Sequence, residues 1–338
     1  MSLPPFALLR PRTLDDALEH LAAHGDQAMM VAGGTDVVPN LRAALFSPRA
    51  LVDLKGIREM RGIHFEPENG LRLGALTTIT AIAESPLIRQ QYPVLAEAAA
   101  IIASPVLRNL GTLGGNLCLE TRCLWYNQSY TWRTSCGFCL KKDGTVCHVA
   151  PGGKFCWAVW SGDTAAALMT LDAEIEIVSP RGRRRLPLTE FYTNDGMSRL
   201  RLGRDEILSG VFVPARTAGY RGSYQKLRLR NSIDYPLAAV AVAMKVEDGV
   251  CTDLRLGLTA VNPAPMLVGD ASELLRGQRF SREAVEAVAQ AVIRTGKPLK
   301  TSVSTPEYRR DMLRVFTRRA LTQVWSSNGG PARPAGGR

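Results

Sequence analysis

No apolar run in this 338-residue chain approaches the roughly 20 residues that a membrane-crossing helix needs. The longest, Pro236 to Met244, is far too short and reads as a buried strand. The opening Met1-Ser2-Leu3-Pro4-Pro5 has no basic stretch leading into an apolar one, so no secretory signal is read and the expected compartment is the cytoplasm. Acidic residues are short, 31 against 42 Lys and Arg, for a net charge of +11. A nucleic-acid partner is still not expected. The basic residues fall in scattered clusters (Arg181 to Arg185, interrupted by Gly182; Lys226 to Arg230; Arg309 to Arg319 on a helical pattern), with no long stripe interleaved with aromatics. They read as a solvated surface or as a docking face for an acidic donor or partner subunit. No internal repeat of fixed period is visible.

The rest of the composition, 46% hydrophobic and 22% charged, is that of an ordinary soluble globular protein with room for two or three domains. Thr13-Leu14-Asp15-Asp16 forms a capping box with Asp in the usual Glu position, opening a helix through His24 with Leu14, Ala17, Leu18 and Leu21 on one face. Apolar residues Ala28 to Ala32, a helix through Leu45 and a strand at Ala50 to Leu54 complete a small α/β unit. The pattern restarts near Gly70 with a strand at Leu71 to Leu76, a short helix from Thr78 and a longer one from Pro86 to Ser104. Asp163 to Leu171 reads as an Ala-rich helix, and Ala173 to Ser179 as a strand turning at Pro180-Arg181-Gly182. After Pro214 come a strand at Tyr224 to Arg230, a hairpin of Leu237–Val246 and Cys251–Val261 across Asp248-Gly249, and helices at Arg282–Arg294 and Tyr308–Val324. The tail from Ser326 is expected to be disordered.

Two glycine turns stand out. Gly33-Gly34-Thr35-Asp36 lies between an apolar strand and a helix, where free backbone N–H groups suit an anion such as a diphosphate. Gly111 to Asn116 is a second turn of similar character, and two of them suggest a ligand held between subdomains. By itself a Gly-Gly turn after a strand is more often an ordinary turn. Neither matches a dinucleotide-binding G-x-G-x-x-G or a P-loop, so neither a nicotinamide cofactor nor ATP is supported.

Of seven cysteines, six fall between Cys118 and Cys156, and only Cys251 lies outside. Clustered thiols in a cytosolic chain argue for metal. The link from about Cys118 to Ser161 also holds Trp125, Trp132, Trp157 and Trp160, an aromatic shell that would limit solvent around a redox centre. Spacing alone leaves zinc and iron–sulfur both open: Cys136-x-x-Cys139 is half of a zinc-ribbon pattern.

Three motifs in order, Ala32-Gly33-Gly34-Thr35-Asp36, Thr112-Leu113-Gly114-Gly115-Asn116 and Gly162-Asp163-Thr164-Ala165-Ala166-Ala167-Leu168, resemble the FAD-binding medium subunits of the xanthine dehydrogenase (molybdenum hydroxylase) family. The likeness covers nearly the whole chain. It implies an α+β fold: two N-terminal α/β subdomains (residues 1–57 and 58–215) forming an FAD-binding domain, a cysteine-rich insertion (118–161), a C-terminal α+β domain (216–325) and a tail (326–338). It further implies that Val31, Ala32, Gly33, Gly34, Thr35, Asp36 and Val37 wrap the FAD diphosphate, and that Thr112, Gly114, Gly115 and Asn116 form a second wall. Asp163 would hydrogen-bond FAD polar atoms, and Ile102 and Ile207 would flank the isoalloxazine ring. Lys226 matches a lysine near the flavin, while the residue pattern alone reads it equally as a snorkelling surface lysine.

The insertion, with Cys139-Leu140-Lys141, Cys147-His148-Val149-Ala150-Pro151 and Cys156, resembles that of 4-hydroxybenzoyl-CoA reductase β subunits, which carry a [4Fe–4S] cluster beside FAD. That resemblance implies Cys123, Cys139, Cys147 and Cys156 as ligands, leaves Cys118 and Cys136 as bystanders (Cys136 the nearer substitute), and makes His148 structural. No catalytic residue is expected on a chain whose chemistry is redox relay. A ferredoxin-like donor would feed electrons through the cluster and FAD to the [2Fe–2S] centres of a small subunit and the molybdopterin of a large subunit. The assembly would be hetero-oligomeric, such as a dimer of heterotrimers. The alternatives are the same architecture run oxidatively on an aromatic or N-heterocyclic substrate, and a flavin-free, zinc-stabilised scaffold.

Overall fold

A computed structural model describes residues 3–326, so most of the tail expected to be disordered lies outside the described residues. The first helix, Leu14–His24, begins on the capping box: the Thr13 hydroxyl accepts from the Asp16 amide at 3.1 Å, and the Asp16 carboxylate accepts from the Thr13 amide at 3.2 Å. Its apolar face, Leu14, Ala17, Leu18 and Leu21, is buried against a parallel sheet of β1 (Ala7–Leu9), β2 (Ala28–Val31) and β3 (Ala50–Asp53), in the order β1-β3-β2.

A second, antiparallel sheet contains β4 (Ile63–Glu66), β5 (Gly70–Gly74), β6 (Glu174–Ser179), β7 (Gly182–Pro187) and β8 (Ile207–Val213), in the order β4-β5-β8-β6-β7. Strand β8 is not among those read from the sequence. Nearly all of its Ile-Leu-Ser-Gly-Val-Phe-Val run is buried, so it lacks the polar–apolar alternation that marks a half-exposed strand. The single helix expected from Pro86 to Ser104 is corrected. It divides into Pro86–Gln91 and Pro93–Ala100, with Pro105–Leu110 following. Pro93 has no amide to donate and excludes the helical conformation at Tyr92, which sits at φ −137° and ψ 56°.

The third sheet carries β9 (Arg221–Leu227), β10 (Ala238–Glu247), β11 (Val250–Thr259) and β12 (Met266–Leu267), antiparallel in the order β12-β11-β10-β9. Strand β10 is buried on both faces, and its residues divide by size. Ala239, Ala241 and Ala243 face the main core, while Val240, Val242 and Met244 face the C-terminal core with helices Arg282–Thr295 and Pro306–Ser326. The small face is required because helix Asp163–Thr170 lies directly on this sheet: a Cβ on Gly257 would stand 2.6 Å from the Ala166 carbonyl oxygen. The helix of the third glycine-containing motif is thereby held on the third sheet, with helices Pro93–Ala100 and Leu113–Leu117 also packed against it.

Many of the basic residues singled out in the sequence are paired with carboxylates. Arg181 pairs with Asp205, Arg184 with Glu206, Arg230 with Asp234, and Arg314 and Arg318 with Glu286. Arg309 departs from the surface reading: it is fully buried and donates to the carbonyls of Leu237, Leu299 and Ala260. Among the described residues no helix is long and apolar enough to cross a membrane.

Candidate functional site

A cleft of about 1140 Å³ opens between the first sheet and the second subdomain, roofed by Ile233, Asp234 and Tyr235. That exceeds the roughly 300–1,000 Å³ of an ordinary small-ligand pocket and gives room for an extended ligand. Ala32, Gly33, Gly34, Thr35, Asp36, Val37, Ile102, Thr112, Gly114, Gly115, Asn116, Asp163 and Ile207 all line it. Val31 and Lys226 do not. Val31 is buried beneath the first sheet with Leu41 and Leu51.

The two glycine segments meet here. A Cβ on Gly33 would lie 2.1 Å from the Leu110 carbonyl oxygen, and one on Gly111 would lie 3.7 Å from the Thr35 hydroxyl. Gly34 has φ +73°, the left-handed region that favours glycine. The amides of Gly34, Thr35 and Asp36 make no hydrogen bond among the described residues, as at an uncapped helix start, and are available to an anion. The second segment differs from the expected exposed turn. It is the start of a short helix, Leu113–Leu117, capped by Thr112, and the amides of Leu113, Gly114 and Gly115 are taken by Thr77, Ala75 and Thr112. The Asn116 side chain is likewise committed, accepting from the Thr164 amide at 3.1 Å and hydroxyl at 2.6 Å. This segment therefore supplies shape and close approach, while the first supplies donors.

Asp36 also does more than line the turn. Its carboxylate takes the Arg122 guanidinium at 2.5 Å, the Glu120 amide at 3.2 Å and the Asn40 side chain at 3.2 Å. The Arg122 guanidinium in turn lies 4.1 Å from the Tyr235 ring centre and donates to its hydroxyl. One carboxylate thus ties the first glycine turn to the root of the insertion and to the third sheet's loop. Arg122 and Tyr235 were not marked by the sequence, because no local pattern distinguishes them from surface residues. The Met197–Arg204 loop, which also lines the cleft, escaped for the same reason.

Lys226 is not a surface lysine. Its side chain is 1% exposed and its ammonium meets the Asp163 carboxylate at 3.0 Å, while the Tyr224 hydroxyl donates to the other carboxylate oxygen at 2.8 Å. Burial pushes the Asp163 pKa up, against the pull of the Lys226 ammonium and the Tyr224 hydroxyl. Asp163→Ala leaves that ammonium buried without its carboxylate and is expected to cost about 3–5 kcal/mol in urea unfolding. A cost near zero would show that water reaches the pair.

Beside the cleft, the insertion hangs from a two-hydrogen-bond bridge between Arg122 and Val159, each bond 2.8 Å. Within it Cys123, Cys139, Cys147 and Cys156 are all buried and line one small pocket with Trp125, Tyr126, Leu140, Lys141, His148, Val149 and Ala158. Turns at Gly137 and Phe138, both at positive φ, fold the chain back so that Cys139 faces the pocket. The bystanders stand apart: Cys136 caps helix Tyr130–Ser135, and Cys118 lines the large cleft. His148 packs on Trp125 with ring centres 4.7 Å apart and bonds the Phe138 carbonyl. Of the four tryptophans only Trp125 lines the pocket, with the Trp132 ring tilted against it at 5.7 Å, while Trp160 is buried in the main core against Tyr192. Burial, reinforced by the neighbouring thiols, pushes Cys123 up to about 12, and burial pushes Cys156 up to about 11. Both shifts favour the protonated thiol over the thiolate. Four thiols lining one pocket form a soft donor set of the kind a thiophilic metal centre uses.

A cleft with room for an extended ligand, free amides at its helix start and a buried thiol pocket alongside define the candidate site. Residues 4–216 match the family model for the FAD-binding domain in molybdopterin dehydrogenase, and residues 222–324 match the CO dehydrogenase flavoprotein C-terminal domain. The chain is 30% identical over 285 residues to the nicotinate dehydrogenase FAD-subunit of Eubacterium barkeri, covering 83% of each. It is 28% identical to the xanthine dehydrogenase FAD-binding subunit of Escherichia coli O157:H7, covering 95% of this chain and 96% of the relative. The solved carbon monoxide dehydrogenase of Hydrogenophaga pseudoflava, in the form that lacks the Mo-pyranopterin moiety, has a chain that superposes with a TM-score of 0.79 at 28% identity, covering 96% of this chain and 99% of that one. The chain belongs to the FAD-binding subunits of the molybdenum hydroxylase family.

Proposed function

We propose that this chain is the electron-relay subunit of a molybdenum enzyme, holding FAD in the cleft and one [4Fe–4S] cluster on Cys123, Cys139, Cys147 and Cys156. The observation that carries the reading is the meeting of four thiols, spread over the insertion, in one buried pocket beside the cleft. Four thiolates are the usual ligand set of a cubane, and the insertion brings four thiols to one pocket. When bound, FAD supplies one- and two-electron redox chemistry. In this reading the Gly34–Asp36 amides hold its diphosphate, Ile102 and Ile207 flank its ring, and Asp163, backed by Lys226, orients its polar atoms. Family membership in an FAD-binding domain speaks against the flavin-free scaffold.

The reaction proposed for the whole enzyme is reductive removal of the hydroxyl of 4-hydroxybenzoyl-CoA, giving benzoyl-CoA. It takes up two electrons and two protons and releases water. A molybdopterin large subunit, a [2Fe–2S] small subunit and a ferredoxin-like donor in the cytoplasm complete the assembly. What favours this direction is the insertion, which adds an entry point for single electrons. The second reading, an oxidative hydroxylase of an aromatic or N-heterocyclic substrate, is favoured by relatives named nicotinate dehydrogenase and nicotine 6-hydroxylase. The purified complex is assayed with 4-hydroxybenzoyl-CoA and a low-potential donor. Benzoyl-CoA formation is the expected result, and hydroxylation of an N-heterocycle with no reductive turnover would replace the reading with the second. The isolated chain is expected to convert neither substrate.

A further inference from the structure

One wall of the thiol pocket is a buried cation that the cysteine pattern does not announce. The Lys141 side chain is 6% exposed, and its ammonium lies 2.6 Å from the Glu120 carboxylate and 2.5 Å from the Thr121 hydroxyl. It also donates to the Gly196 carbonyl and sits 4.7 Å from the Tyr126 ring centre. Glu120 is equally buried and is shared with a second cation, Arg199, at 3.4 Å. Burial pushes the Glu120 carboxyl up, but the two cations outweigh it and hold the group below its ordinary range. Two cations on one carboxylate leave an excess positive charge in a place largely closed to water, where it is weakly screened.

The arrangement also spans both sites. Lys141 lines the thiol pocket, whereas Arg199 lines the large cleft and donates to the carbonyls of Leu119 and Cys118. The loop that accepts the ammonium is pinned against a thiol. The Gly196 amide donates to the Cys156 carbonyl at 2.8 Å, and a Cβ on Gly196 would stand 2.9 Å from the Cys156 sulfur. Met197 and Ser198, next in that loop, line the cleft.

We propose that Lys141 is a positioning charge for the redox centre of the insertion: its ammonium, fixed by Glu120, Thr121 and Gly196, offsets the negative charge that one-electron reduction adds among the four thiolates, and so raises the midpoint potential. A surface lysine would be screened and mobile, and this one is neither. The proposal rests on the cluster reading above. The electron comes from a low-potential one-electron donor, represented in the test by sodium dithionite, and no bond to Lys141 forms or breaks.

The experiment is a redox titration of the full chain, or of the complex that contains it, followed by EPR with iron counted in parallel. Lys141→Met is expected to retain iron and to shift the cluster midpoint downward, while Lys141→Arg stays near the unsubstituted protein. An iron-replete Met variant with an unchanged midpoint overturns the proposal. If the Met variant loses iron and the Arg variant keeps it, the positive charge serves to hold the centre and not to set its potential, and the proposal falls. If both lose iron alike, the residue serves packing and the proposal falls. Absence of iron from the unsubstituted protein overturns the cluster reading and this proposal with it, an outcome distinct from the iron-replete failure.

Discussion

Replacing any one of Cys123, Cys139, Cys147 or Cys156 by Ser is expected to reduce bound iron from about four per chain to a small residue. The signal of the dithionite-reduced protein in EPR should disappear with it. The four thiols are interchangeable in this respect because all four line one pocket and, among the described residues, no fifth thiol lines it. Cys136 caps a short helix, Cys118 points into the large cleft, and Cys251 is buried in the C-terminal core. Ser at Cys136 or Cys251 is therefore expected to leave iron and spectrum intact. Zinc in place of iron in anaerobically prepared protein, or full iron retention in the Cys139 variant, would refute the assignment.

Gly34→Val is expected to abolish FAD retention, measured as flavin absorbance per chain after desalting. The left-handed φ of +73° suits glycine and is strained for a β-branched residue by about 1–3 kcal/mol, enough to displace the free amides beside it. The space around Gly34 is otherwise open. A Cβ there would touch only the methyl groups of Val38 and Val31, at 3.5 and 3.8 Å, so the variant should still fold. Gly33→Ala provides the contrast. Its methyl group meets the Leu110 carbonyl at 2.1 Å, so flavin loss should come with a lowered melting temperature. Stoichiometric flavin on folded Gly34→Val would show that the diphosphate lies elsewhere.

Much of this was legible in the chain. The Thr13 capping box, the Asp248-Gly249 hairpin and the Asp163–Thr170 helix form where their residues place them, because caps, turns and a 3.6-residue period are local physics. The glycine segments and the cysteine density are also local signals. Less legible was the break at Pro93, which the apolar pattern runs straight across. Strand β8 was missed because burial on both faces removes the alternation by which a strand is recognised.

The sequence by itself determined which residue types this protein brings to its cleft and its insertion: glycines that free a backbone for an anion, and thiols clustered in a short segment. Tertiary structure decided what each could do. It left the amides of the first glycine segment free and used up those of the second, since only the latter lie beside Ala75 and Thr77. It turned Lys226 from a surface position into a buried partner of Asp163. It also set Lys141, Glu120 and Arg199 between two sites, although Arg199 lies 79 positions along the chain from Glu120. Burial and proximity of charges depend on contacts between distant segments, and no window of sequence contains both partners of such a contact.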